Sequence, residues 1–66
     1  MNKTKILKSI DEKMKEISTL LGGPSEIQIV NGSHTEWKYT FDIIKELNEE
    51  ITKLKIDYIF EVVKKL

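Results

Sequence analysis

The sequence predicts an α+β fold of the order helix–hairpin–helix, with two antiparallel helices and a two-stranded hairpin packed on them. Three observations predict it. Apolar residues recur with a helical period at both ends of the chain. Between them the period drops to two. A Gly-Gly-Pro stop separates the first region from the second. A change of period from 3.6 to 2 is the mark of a change from helix to strand.

The first helix spans about Asn2 to Leu21. Leu7, Ile10, Met14, Ile17 and Leu21 fall at spacings of 3, 4, 3 and 4, which makes one stripe, widened by Ile6 and Leu20. Asn2 or Thr4 is the expected N-cap. Gly22 suits a left-handed position just past the helix, and Pro24 cannot continue it.

The hairpin spans Ser25 to Phe41. Ile27 and Ile29 alternate with Glu26 and Gln28, and Trp37, Tyr39 and Phe41 alternate with Glu36, Lys38 and Thr40. Asn31-Gly32 marks the turn. Directly opposed residues share a face. A two-residue Asn31-Gly32 loop sets Ile27 opposite Glu36 and mixes the faces. A three-residue loop, Asn31–Ser33, sets Ile27 opposite Trp37, Ile29 opposite Thr35 and Glu26 opposite Lys38. A three- or five-residue loop is therefore expected, with Ile27, Ile29, Trp37 and Tyr39 on one face laid against the helices. Trp37 is then buried, and its truncation costs about 3–5 kcal/mol.

The last helix spans about Asp42 to Leu66, capped by Thr40 or Asp42. Its main stripe is Ile44, Leu47, Ile51, Leu54, Tyr58, Val62 and Leu66. Acids near its start and Lys64 and Lys65 at its end suit the helix dipole. A second stripe, Ile56, Phe60 and Val63, falls on the side opposite the first. A small domain has one core, so these three residues are the expected protein interface, most simply between two copies of the chain. The rival reading is that the hairpin or the first helix covers them.

Composition narrows the function. The chain of 66 residues is one domain, 1–66. It has no Cys, so disulfides and Cys-based zinc sites are excluded, and one His cannot replace them. Eleven Lys balance eleven acids, and no cation is Arg. Without Arg the bidentate reading of guanine is lost, which argues against sequence-specific DNA binding. Antiparallel helices bring Lys3, Lys5 and Lys8 near Lys64 and Lys65, and that basic end is a possible nucleic-acid contact through phosphates. The aromatic ladder of the hairpin could stack bases, but core packing is the reading preferred here.

His34 lies beside the turn with Ser33 as its neighbour, which is not a triad pattern. Pairs such as Glu46 with Glu49 or Glu50 lack ligands from another element and read as a solvated face. Phosphate-loop and dinucleotide glycine patterns are absent. The expectation is a non-enzyme without cofactor or metal, located in the cytoplasm, without a membrane span. It works as a protein–protein interaction module: a regulator, inhibitor or adaptor, self-associating as a homodimer and then binding an unknown protein partner.

The element order and the run from Ile27 to Lys53 resemble the small head–tail joining proteins of tailed phages, which place a hairpin between two antiparallel helices. The resemblance implies a phage structural role as a further alternative.

Overall fold

The computed structural model describes residues 2–64. The elements are α1 (Lys3–Leu21), β1 (Glu26–Asn31), β2 (His34–Tyr39) and α2 (Thr40–Val63). The expected order and class are thus observed. α1 starts as expected, with the Asn2 side chain accepting the Lys5 amide at 2.9 Å. Its end differs from expectation: Gly22 is right-handed at φ −88°. The positive φ among the described residues belongs to Gly32 alone. α2 follows β2 without a loop. Tyr39 occupies its N-cap position with no side-chain bond, so neither Thr40 nor Asp42 caps it. Leu66 and Lys65 lie outside the described residues.

The two helices run antiparallel. Their relative level is set by the ion pair Lys13–Glu50 at 2.8 Å. Leu20 and Ile43 line one hollow seven residues away on each helix, in agreement. The hydrogen bond that Lys13 Nζ donates to Glu50, more than any other cause, holds the Lys13 pKa above the ordinary lysine value.

The buried stripe of α1 is turned by about one residue from the expected one. Ile6 is fully buried, and Ile10, Lys13, Ile17 and Leu20 follow it at 4, 3, 4 and 3, each half-buried. Leu7, Met14 and Leu21 are exposed. The spacing alone cannot choose between the two stripes, because they share Ile10 and Ile17. The main stripe of α2 is as expected: Leu47 and Ile51 are buried, with Ile44, Leu54, Tyr58 and Val62 half-buried beside them.

The hairpin register differs from expectation. Asn31 pairs with His34, so the loop is the two residues Gly32-Ser33. Gly32 has φ +63° and Ser33 does not have positive φ. Positive φ at the first central position alone is the pattern of a type II′ loop, which favours Gly there. The pairing is then Ile27 with Lys38, Ile29 with Glu36, Gln28 with Trp37 and Glu26 with Tyr39. Trp37 and Tyr39 share the face opposite to Ile27 and Ile29. No residue of either strand is buried.

Trp37 is 65% exposed, which corrects its expected place in the core. Trp37→Ala should therefore cost less than about 1 kcal/mol, the scale of surface substitutions. Urea unfolding followed by circular dichroism checks this, and a cost above about 3 kcal/mol would mean that the ring is packed after all.

The molecule is elongated. It measures 48 × 26 × 15 Å with a radius of gyration of 15.0 Å. A compact chain of this length has a radius of about 11 Å. It exposes 5419 Å², against about 4,300 Å² for a compact monomer of its mass.

Candidate protein interface

The second stripe of α2 lies open. Ile56 is 49% exposed, Phe60 65% and Val63 54%. Neither the hairpin nor α1 covers them, so the intramolecular rival is not what this structure adopts. Ile59, also exposed, extends the stripe and was missed in the sequence because it falls between the two apolar sides of the helix. Leaving such side chains in water forgoes on the order of 1.5–3 kcal/mol each relative to full burial.

A further exposed set comes from the correction to α1. Leu7, Met14 and Leu21 are seven residues apart and therefore share one flank. That flank continues onto α2. Met14 and Ser18 line one groove with Asn48 and Lys55, and Leu21 lines another with Phe41. The regular spacing of seven was visible in the sequence. What hid its meaning was the assumption that all five residues of the stripe face the core.

The lysines expected at one end are placed there by the antiparallel helices: Lys5, Lys8 and Lys64 are exposed and Lys3 is half-buried. Lys64 lies 3.6 Å from Glu61. Lys65 is outside the described residues. His34 is exposed and sits 3.5 Å from Glu36. Glu50 is engaged by Lys13 at 2.8 Å. Trp37 and Tyr39 line an open cleft with Lys38, Asp42, Lys45, Glu46 and Glu49. The described residues contain no group of three or more His, Asp or Glu able to hold a metal ion. No helix among them is long and apolar enough to cross a membrane.

Compared with protein-family models, curated proteins and solved structures, the chain matches none.

Proposed function

We propose that this chain is a non-enzymatic protein–protein interaction module that self-associates through Ile56, Phe60 and Val63, with Ile59 in the same contact. The dimer then acts on a protein partner as a regulator, inhibitor or adaptor. The observation that carries the reading is an apolar stripe left open on an elongated chain. Domains ordinarily bury such faces between two layers. The exposed surface exceeds that of a compact monomer by about 1,100 Å². That compares with about 800 Å² per partner in a standard interface.

Sedimentation tests it. The wild-type chain should sediment as a dimer at micromolar concentration. Phe60→Glu should keep its helical circular dichroism and shift to the monomer mass. A wild type that stays monomeric at high concentration contradicts the reading.

A second reading, non-specific nucleic-acid binding, draws on the shared end of Lys3, Lys5, Lys8 and Lys64. Mobility shift with random duplex and single strands at low salt separates the two. The interaction-module reading expects no shift. A shift that fades steeply with salt, and disappears when these four lysines become Gln, would favour the second.

A further inference from the structure

We infer that the second copy lies antiparallel to the first, face on face, related by a two-fold axis that crosses the helices at the level of Met14. This rests on the self-association proposed above and adds the face, the orientation and the register.

The face is the flank shared by the two helices. On α1 it carries Leu7, Met14 and Leu21. On α2 it carries Phe41 near the hairpin and Ile59 and Val63 near the other end, with Ile56 and Phe60 along its outer margin, all exposed. The Lys13–Glu50 pair fixes the levels. Counting outward at 1.5 Å per residue, Leu7 stands level with about residue 56 and Leu21 with about residue 42. Apolar groups therefore cluster at both ends of the face, with Met14 midway between Leu7 and Leu21. The middle of α2 on this flank is polar, with Asn48, Thr52 and Lys55.

Charge decides the orientation. Residues 2–10 and 53–64 hold six lysines and two acids, a net of +4. Residues 11–52 hold four lysines and nine acids, a net of −5. The first set forms the end away from the hairpin, and the second forms the middle and the hairpin end. A parallel face-to-face dimer stacks like ends, basic on basic and acidic on acidic. An antiparallel one sets each basic end over the partner copy's acidic end. Such complementarity fixes register and suppresses the wrong arrangement. The apolar groups agree with it: Leu7 of one copy then meets Leu21 of the other, and Met14 meets Met14.

The absence of Cys makes the test direct. Three of the variants, Leu7→Cys, Met14→Cys and Leu21→Cys, introduce a thiol on the flank of α1, and Ile59→Cys does so on α2. Each is oxidised mildly and run on a non-reducing gel. A disulfide needs Cα atoms about 4.4–6.8 Å apart. The antiparallel arrangement holds the two Leu7 positions about 21 Å apart along the helices. Met14→Cys alone should run mostly at twice the monomer mass. Leu7→Cys alone and Leu21→Cys alone should stay monomeric, while their mixture should cross-link. In a parallel dimer the mixture of Leu7→Cys with Ile59→Cys cross-links and Met14→Cys does not, and this result overturns the inference. If wild type sediments as a dimer yet none of these thiols joins, the orientation is wrong and self-association stands. If wild type is a monomer, both fall.

Discussion

Ile6→Ala should remove a large share of the folding free energy. Ile6 is fully buried, and Leu47 at 8% and Ile51 at 6% complete the buried hydrophobic core of the described residues. Replacing such a residue with alanine costs about 2–5 kcal/mol, through lost transfer and the cavity left behind. At roughly 0.05–0.15 kcal/mol per residue, a chain of this length has about 3–10 kcal/mol in all. One substitution thus removes between about a fifth of the total and all of it. The neighbouring Leu7→Ala is the control. Leu7 is exposed, so in the monomeric Phe60→Glu background it should cost below about 1 kcal/mol. Urea midpoints by circular dichroism compare the two. Equal losses would mean that the stripe containing Leu7 faces α2.

That comparison separates the two candidate stripes of α1. The order of elements and the main stripe of α2 are legible because each rests on a local pattern with one solution, and the Asn2 cap is one of the two residues the sequence offers there. The helical period also announced a stripe on α1, but two stripes one residue apart were both partly apolar. Choosing between them needs the partner surface. The one taken as core, through Leu7, Met14 and Leu21, is the flank left open.

The hairpin failed for a related reason. The expected register rests on gathering Ile27, Ile29, Trp37 and Tyr39 on a single buried face. Register is strongly specified only where one face is buried. In this chain no strand residue is buried, so that requirement carries no weight. The turn decides instead: Gly32 takes the positive φ, and Ser33 completes the loop. The proposed interface stripe, by contrast, is visible as an apolar set on the side of α2 opposite its main stripe, and the structure leaves it exposed.

Thr40→Val should cost about 1–2 kcal/mol, the penalty for leaving a partly buried carbonyl without its donor. Thr40 is the buried polar residue of the described chain, at 5% exposure. Its hydroxyl donates to the Pro24 carbonyl at 2.6 Å, and its amide donates to the Ser25 carbonyl at 2.8 Å. These two bonds join the segment that enters β1 to the first residue of α2. They hold the base of a hairpin whose strands bury no side chain of their own. Valine keeps the shape of threonine and removes only the donor. Thr40→Ser keeps the donor and removes a buried methyl, which is worth about 0.8 kcal/mol. The valine variant should therefore be the less stable of the two in urea. It should also exchange the Thr40-position amide for deuterium faster, because the remaining bond to Ser25 loses its neighbour. If valine proves as stable as wild type, or more stable than serine, the junction is held by packing of the Thr40 methyl and the hydroxyl bond contributes nothing.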